Sequence, residues 1–213
     1  MNAALQRLAQ EAQSILERPL SDGELTSFQK YLLLLQKWQR SHRLMGSAEP
    51  DWIVHNLFLD SLLFLRVLPR DAAAVADVGS GAGLPGVPLA IVRPAVAMTL
   101  IESRERRVSF LSAVVRELPL PNTRVVRARV EGVASTLRQQ FDAVVMRCAG
   151  DFAQLARSAA ELVRPGGCVI ASAPPASSRR RLSAGLWVEV PGLSADRLRG
   201  FAVHMVEGKS RIL

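Results

Sequence analysis

The stretch that decides the fold is Asp77-Val78-Gly79-Ser80-Gly81-Ala82-Gly83, which begins inside the short apolar run of residues 72–78. Glycines at this spacing let the backbone adopt left-handed conformations and approach a ligand closely. Pro85 follows at a first-turn position, where proline suits the start of a helix. The stretch therefore predicts a strand, a tight turn at the carboxyl edge of a sheet, and a helix. Ligands of open α/β sheets bind at that edge.

Beyond this turn, apolar strand-like runs alternate with helix-like stretches. We expect strands at 95–101, 124–128, 141–146 and 168–171, and helices at 85–92, 104–117 and 151–163. The last helix is closed by Arg164-Pro165-Gly166-Gly167, because proline and paired glycines end helices. Such alternation predicts a parallel sheet covered on both faces, which is a doubly wound, Rossmann-like α/β fold. Further strands are possible at 186–190 and 201–206.

The residues before the first strand have helical character. A break at Pro19 is followed by Ser21 and Glu24, whose spacing fits a capping box, and apolar residues then recur at every third or fourth position up to Trp38. Another helix is expected after Pro50. The 213 residues therefore form one domain, 1–213, in which a helical N-terminal extension (1–70) precedes an α/β core (71–213).

Composition excludes several classes of protein. No apolar run approaches the ~20 residues that cross a bilayer, and the N-terminus lacks the features of a signal peptide. We therefore expect a cytoplasmic protein with no membrane partner. The two cysteines, Cys148 and Cys168, make neither a disulfide framework nor a metal site, and we interpret them as small core residues.

The formal net charge of +8 resides mostly after residue 70. Arginine guanidinium groups match phosphate oxygens, so this excess suggests a surface that attracts phosphates. An ordinary solvated charged face is the alternative for each arginine. The arginines concerned are Arg104, Arg106, Arg107, Arg116, Arg124, Arg127, Arg129 and Arg179-Arg180-Arg181.

Acidic residues accompany the glycine turn. Asp77 stands at the end of the first strand, where it can order the turn or meet an ammonium group. Glu102 ends the second strand and can accept hydrogen bonds from both ribose hydroxyls, while Ser103 is expected to cap the next helix. The amides of the helix after Pro85 can face a carboxylate. The pattern favours S-adenosylmethionine, whose methionine end supplies both an ammonium and a carboxylate.

A dinucleotide site is the alternative reading of this turn. Gly81-x-Gly83-x-x-Gly86, with an acid about twenty residues later, also satisfies the dinucleotide fingerprint. A helical region precedes the turn, however, and no His or Tyr downstream is placed for proton transfer beside a hydride. Both features speak against a nicotinamide enzyme.

The segment 77–91, DVGSGAGLPGVPLAI, resembles the signature of the bacterial small-subunit ribosomal RNA guanine-N7 methyltransferases, once called glucose-inhibited division protein B. The likeness covers most of the chain. It continues in segments 31–38, 60–62, 107–111, 129–131, 141–147 and 163–167.

The resemblance implies methyl transfer from S-adenosylmethionine to guanine N7 in 16S ribosomal RNA by a monomer that acts on the RNA or on the assembling small subunit. It places cofactor contacts on Gly79, Leu84, Val130, Glu131 and Arg147. Together with the residues argued above, the predicted cofactor set is Asp77, Gly79, Gly81, Gly83, Leu84, Glu102, Ser103, Val130, Glu131 and Arg147, with no metal.

Guanine N7 carries a lone pair and no proton, so its methylation needs positioning more than a general base. Arg147 is the candidate catalytic residue, which would orient the guanine, its phosphate or the cofactor; a structural ion pair is the alternative. Covalent catalysis by Cys148 is disfavoured, because the preceding proline typical of cytosine-C5 methyltransferases is missing.

The sequence departs from the family pattern at positions expected on the substrate side. Arg43-Leu44-Met45 replaces Asn-Leu-Thr, Leu57 replaces a histidine, and Ala173 replaces a lysine. His55 lies two positions from the expected histidine and is interpreted as structural. The departures leave open two other functions: methylation of another RNA or small molecule, and cofactor-dependent binding of RNA without transfer.

Overall fold

The computed structural model describes residues 3–147, 152–172, 185–194 and 197–207. Its described part contains a seven-stranded sheet in the order β3-β2-β1-β4-β5-β7-β6. The strands are β1 (Ala74–Val78), β2 (Ala97–Glu102), β3 (Thr123–Arg127), β4 (Phe141–Arg147), β5 (Val163–Ser172), β6 (Leu186–Pro191) and β7 (Leu198–Met205). The chain order reverses between β1 and β4, and this reversal is the topological switch point where open α/β sheets bind ligands.

The sheet is mixed, which corrects the prediction of a wholly parallel one. Strands β1 to β5 are parallel, whereas β7 runs antiparallel to β5 and β6 antiparallel to β7. The strands predicted near 186–190 and 201–206 therefore exist, but they close one edge as a hairpin-like pair. The doubly wound α/β prediction is confirmed for the five strands that position the site.

The N-terminal extension begins with α1 (Ala3–Leu16) and α2 (Asp22–His42). The predicted capping box is present: the Glu24 N–H donates to Ser21 Oγ, and the Ser21 N–H donates to the Glu24 carboxylate at 2.7 Å. This reciprocal pair satisfies two amides that the helix leaves open, so the sequence fixes where α2 starts.

The helix predicted after Pro50 is present but irregular. It runs through α3 (Pro50–Ile53), a π-helical segment (Val54–Leu59), α4 (Asp60–Leu62) and a 3₁₀ segment (Leu63–Arg66). A π-helical segment rotates the side chains that follow it relative to a regular helix, and such segments occur often at functional sites. The segment carries Leu57, where the resemblance leads us to expect a histidine, and ends beside Asp60.

The core helices are α5 (Gly86–Val92), α6 (Glu105–Glu117), α7 (Val130–Val133) and α8 (Phe152–Ala160). Two predicted boundaries are wrong. Helix α6 has Arg104, not Ser103, as its N-cap, and the Arg104 N–H donates to Glu102 Oε1 instead. Helix α8 ends at Ala160, before the predicted 163, because Val163 already pairs with Phe141 in the sheet.

The two faces of the sheet are covered by two apolar clusters. The larger cluster joins the N-terminal helices to α5, α6 and β7, and within it Phe64 meets Phe201 at 4.9 Å between ring centroids. Cys168 is buried in the same cluster, where burial raises the pKa of its thiol to about 11, as expected of a small core residue. None of the described helices is long and apolar enough to cross a membrane. Predictions for Cys148, Asp151, Ala173 and Arg179-Arg180-Arg181 fall outside the described residues.

Candidate functional site

The glycine turn leaves β1 and bends back beneath the end of β2. The N–H groups of Gly79 and Ser80 both donate to the Ile101 carbonyl, at 2.9 and 3.1 Å. Gly79, Gly81 and Gly83 have φ values of +72°, +57° and +89°, the left-handed region that glycine tolerates best. A Cβ on Gly79 would meet nothing within 4 Å. The turn therefore presents bare backbone to open space, as a close-fitting ligand requires.

Gly83 and Gly86 allow close packing of the chain and do not open space for a ligand. A Cβ on Gly83 would lie 2.7 Å from Val87 Cγ2 and 2.9 Å from Tyr31 Oη, and a Cβ on Gly86 would clash with Leu100 and with Asp77 Oδ2 at 2.7 Å. These two positions need glycine because helix, sheet and turn approach each other there. Gly83 accordingly lies behind the turn and not on its open side.

Asp77 is buried below the turn. Its Oδ2 accepts a hydrogen bond from the Gly86 N–H at 3.0 Å, so the acceptor that faces the start of α5 belongs to the chain itself. Its Oδ1 has no hydrogen-bond partner among the described residues. Burial raises the pKa of this carboxyl to about 7. Of the two roles predicted for Asp77, the geometry favours ordering of the turn.

Tyr31 of α2 supports the turn from the other side. Its hydroxyl donates to the Ala82 carbonyl, and its ring stacks on Phe58 with 5.1 Å between the ring centroids. The side chain is fully buried, and burial raises its pKa well above the ordinary value. The N-terminal extension thus helps to hold the glycine turn in place.

Glu102 connects the turn to α6. Its Oε2 accepts from the Gly81 N–H at 3.0 Å, its Oε1 accepts from the Arg104 N–H at 2.9 Å, and Arg107 Nη1 lies 3.6 Å from Oε2. Only 5% of the residue is exposed. A carboxylate has about four lone-pair positions, so Glu102 can accept further hydrogen bonds from a ligand.

A cleft of about 190 Å³ opens between the turn and the N-terminal extension. The glycine turn forms one wall of the cleft. Apolar residues of the N-terminal extension form the other wall, and two arginines border the cleft. The residues that line it are Leu44, Met45, Gly46, Trp52, Leu57, Gly79, Ser80, Gly81, Ala82, Leu84, Arg107 and Arg147.

Arg147, the candidate catalytic residue, ends β4 on the cleft wall. Its Nη2 lies 3.3 Å from Asp60 Oδ2 and donates to the Asn56 carbonyl at 3.2 Å. Asp60 also holds Arg199 of β7, whose Nε lies 2.9 Å from Oδ1. Arg147 is therefore both an ion-pair partner and a wall of the cleft, with 28% of its side chain exposed.

The structure brings together only part of the predicted set. Gly79, Gly81, Leu84 and Arg147 line the cleft, and Glu102 contacts Gly81 and Arg107 at its rim. Val130 is buried in α7, in one apolar cluster with Val78 and Ile101, while Ser103 and Glu131 are exposed. These three residues, Asp77 and Gly83 are outside the cleft lining, and their contact with a cofactor remains a prediction.

Of the positions where the sequence departs from the pattern that it resembles, Met45 and Leu57 line the cleft, whereas Arg43 lines a neighbouring cavity. His55 does not line the cleft, because its Nδ1 lies 3.3 Å from Arg7 Nη2 and 3.8 Å from Glu11 on α1. It is therefore no substitute for the missing histidine in this geometry. Sequence reasoning assigned no role to Asp60 or Arg199 and gave Arg107 only to the basic surface. Asp60 and Arg107 both lie in segments that resemble the family, 60–62 and 107–111, and this resemblance was the signal that could have pointed to them.

A switch-point cleft with a glycine turn after β1 and an acid at the end of β2 places the protein in the Rossmann-like class of α/β proteins, which includes methyltransferases. Solved structures agree on the fold. Cofactor-bound Rv0187 from MTB matches with a TM-score of 0.59 and 16% identity, covering 86% of this chain and 91% of that one. Precorrin-6y C5,15-methyltransferase from Geobacter metallireducens GS-15 matches with a TM-score of 0.51 and 12% identity, covering 77% and 93%.

Sequence relatives identify the family within that class. The profile of the family described as "GidB: rRNA small subunit methyltransferase G" matches residues 24–173. Proteins named ribosomal RNA small subunit methyltransferase G are 33% identical over 203 residues in Xanthomonas axonopodis pv. citri (89% of this chain, 94% of the relative) and 38% over 191 residues in Aromatoleum aromaticum (84% and 88%). The chain belongs to this family and is a methyltransferase, so the predicted resemblance is confirmed.

Proposed function

We propose that the protein transfers the methyl group of S-adenosylmethionine to N7 of a guanine in 16S ribosomal RNA, in the cleft at the glycine turn. One observation carries this proposal beyond family membership: the Glu102 carboxylate lies directly beside a left-handed glycine turn that faces open space. A bare turn and a carboxylate at adjacent strand ends fit the two polar ends of a methionine-linked nucleoside.

The residues present fit S-adenosylmethionine. Gly79 and Gly81 would receive its methionine portion, because a side chain at either position would take up the space beside the backbone. Glu102 would accept hydrogen bonds from the ribose hydroxyls, and the family resemblance assigns Leu84, Val130 and Glu131 to the same ligand. When bound, the cofactor supplies an electrophilic methyl group on a sulfonium. The cleft, at about 190 Å³, is smaller than the ~300 Å³ of small-ligand sites, so S-adenosylmethionine would extend beyond it.

The cleft walls suit a guanine acceptor. N7 attacks through a lone pair and loses no proton, so the site needs orientation and exclusion of water rather than a general base. Trp52 offers an aromatic face of the kind on which unstacked bases pack. Arg147, fixed by Asp60, can hold the O6 edge of the guanine or a neighbouring phosphate.

A second acceptor class is favoured by one observation. Leu44, Met45 and Leu57 make the wall opposite the turn apolar, and Met45 and Leu57 fall where the resemblance leads us to expect a threonine and a histidine. An apolar wall supplies no hydrogen bonds that would distinguish guanine edges, so another RNA or a small molecule could take its place as acceptor. For the main proposal, the substrate is the ribosomal RNA or the assembling small subunit, and the protein acts as a cytoplasmic monomer.

The test uses purified full-length protein with tritiated S-adenosylmethionine and small subunits, or their naked RNA, from a strain that lacks the gene. The proposal expects label in the RNA, and borohydride reduction followed by aniline cleavage should cut the strand at one N7-methylated guanine. Label only in other RNA or in small molecules would support the second acceptor class. Tight cofactor binding with no transfer to any fraction would support a protein that binds without chemistry.

A further inference from the structure

A second cavity, of about 600 Å³, lies beside the cofactor cleft. Arg43, which follows the C-terminal end of α2, contributes one wall, and the first turn of α6 with its N-cap contributes the other. The lining residues are Arg43, Arg104, Glu105, Arg106, Arg107 and Ser109, and we call this the arginine cavity. Arg107 lines both cavities, and Arg43 adjoins Leu44 of the cleft wall, so the two spaces are neighbours.

The charges in the arginine cavity are largely uncompensated. Across residues 3–147, 152–172, 185–194 and 197–207, the guanidinium groups of Arg43, Arg104 and Arg106 make no hydrogen bond or ion pair. The single carboxylate of the lining, Glu105, is 3.1 Å from Arg127 and is therefore partly neutralised from outside. Three exposed guanidinium groups without acidic partners form a site that attracts anions with several charges.

We propose that the arginine cavity binds backbone phosphates of the RNA whose base enters the cleft. The identity of that RNA rests on the proposed function, whereas the anion site rests on the cavity itself. Phosphate contacts fix the register of a nucleic acid without reading its sequence. A strand that lies on Arg43, Arg104 and Arg106 would pass beside Arg107 and present its next nucleotide to the cleft.

The sequence of this chain strengthens the site. Arg43 directly precedes Leu44 and Met45 of the apolar cleft wall, so a cation of the arginine cavity borders the part of the cleft that offers few polar contacts. Contacts to phosphate can thus supply binding energy that this apolar wall does not provide. Arg43, the C-cap of α2, lines the same cavity as the arginines at the start of α6, so the cavity spans the N-terminal extension and the core.

The experiment compares three proteins: the wild type, Arg43→Ala/Arg104→Ala/Arg106→Ala, and the control Arg70→Ala/Arg138→Ala. The control removes exposed arginines that precede β1 and β4, at the opposite edge of the sheet. Binding of a fluorescent small-subunit RNA fragment is measured by anisotropy at several salt concentrations, and cofactor binding by calorimetry. Arg107 is left unchanged because it also contacts Glu102.

The triple variant should bind RNA at least about tenfold more weakly, and the slope of log K against log salt should fall by about 2, at ~0.7 per single-stranded phosphate contact. Cofactor affinity and the melting temperature should match the wild type. Equal RNA affinity and slope in the triple variant and the control would overturn the inference, even if the enzyme methylates ribosomal RNA. If the triple variant loses RNA binding but the wild type does not methylate that RNA, the inference stands and the proposed function is wrong. Binding to anionic vesicles in place of RNA would overturn the assignment to RNA.

Discussion

Gly81 combines a left-handed backbone with a place on the cleft wall. A β-branched side chain there would cost about 1–2 kcal/mol of backbone strain. Its Cβ would lie 3.5 Å from Arg107 Nη1, so the side chain would occupy the space beside Arg107. Gly81→Val should therefore weaken S-adenosylmethionine binding by at least ~tenfold in calorimetry, which corresponds to about 1.4 kcal/mol. Gly23→Ala is the control, because its Cβ meets nothing within 4 Å. Unchanged affinity in Gly81→Val would place the pocket elsewhere.

The Asp77 carboxyl should make the stability of the protein depend on pH. Its pKa is raised by burial to about 7, above its ordinary value near 4, so between these values the folded state binds more protons than the unfolded state. The stability that this protonation contributes is complete below about pH 4 and is lost as pH rises to about 7. The free energy of unfolding should fall there by up to ~1.4 kcal/mol per pH unit.

Asp77→Asn isolates this effect, because its side-chain oxygen can still accept the Gly86 N–H. Urea unfolding from pH 4.5 to 8 should show wild type losing stability relative to Asp77→Asn up to about pH 7, and a constant difference above it. Parallel curves for the two proteins across the whole range would mean that the buried carboxyl does not hold its proton.

Individual site residues were predictable where the signal is local. The spacing of the glycines and an acid at the end of the neighbouring strand predicted correctly that Gly79, Gly81 and Glu102 lie together at the turn. The ion-pair network around Arg147 could not be predicted from the sequence. Asp60, which pairs with both Arg147 and Arg199, is distant from them in sequence and meets them only because the N-terminal extension packs beside β4 and β7. Ser103 failed as a cap because the Glu102 carboxylate already accepts the nearby amide.

Helices and strands were predicted correctly where the sequence pattern fits only one kind of element. The capping box at Ser21 and the alternation of strands and helices from 72 to 147 gave correct elements. The π-helical segment Val54–Leu59 was not foreseen, since its apolar residues suit a regular helix equally well. The direction of β6 and β7 was also open, because an apolar run does not say whether a strand runs parallel or antiparallel.

Helix α2 should stabilise the glycine turn through one hydroxyl. Tyr31→Phe keeps the ring that stacks on Phe58 but removes the donor to the Ala82 carbonyl, which then lies buried without that partner. Losing such a bond costs about 1 kcal/mol, so the melting temperature should fall by roughly 2–4 °C. Cofactor affinity should also drop several-fold, because the turn is less well ordered.

The two measurements separate support of the turn from general packing. Leu33→Ala on the same helix is the control, since Leu33 is 58% exposed and lies outside the core. If Tyr31→Phe lowers the melting temperature while cofactor affinity stays at the wild-type value, α2 contributes stability but does not shape the site.

At the scale of the whole molecule, the N-terminal extension and the α/β core share one apolar interior. Phe28, Tyr31 and Phe58 of the extension belong to the same buried cluster as Leu100 of β2 and Phe201 of β7. The ion pairs from Asp60 to Arg147 and Arg199 cross the same boundary. Since removal of the extension would expose this surface, we expect the division at residue 70 to mark a change of architecture and not two independently stable units.

The predicted single domain should therefore unfold in one transition. Trp38 and Trp52 lie in the extension, whereas Trp187 lies in β6, so in Trp187→Phe the tryptophan fluorescence comes from the extension and from its packing on the core, where Trp38 meets Phe110. Far-UV circular dichroism reports on the entire chain. In urea the two signals should give the same midpoint and slope, because the shared core couples both parts. An earlier fluorescence midpoint would instead mean that the extension opens independently, which would divide the chain into two cooperative units near residue 70.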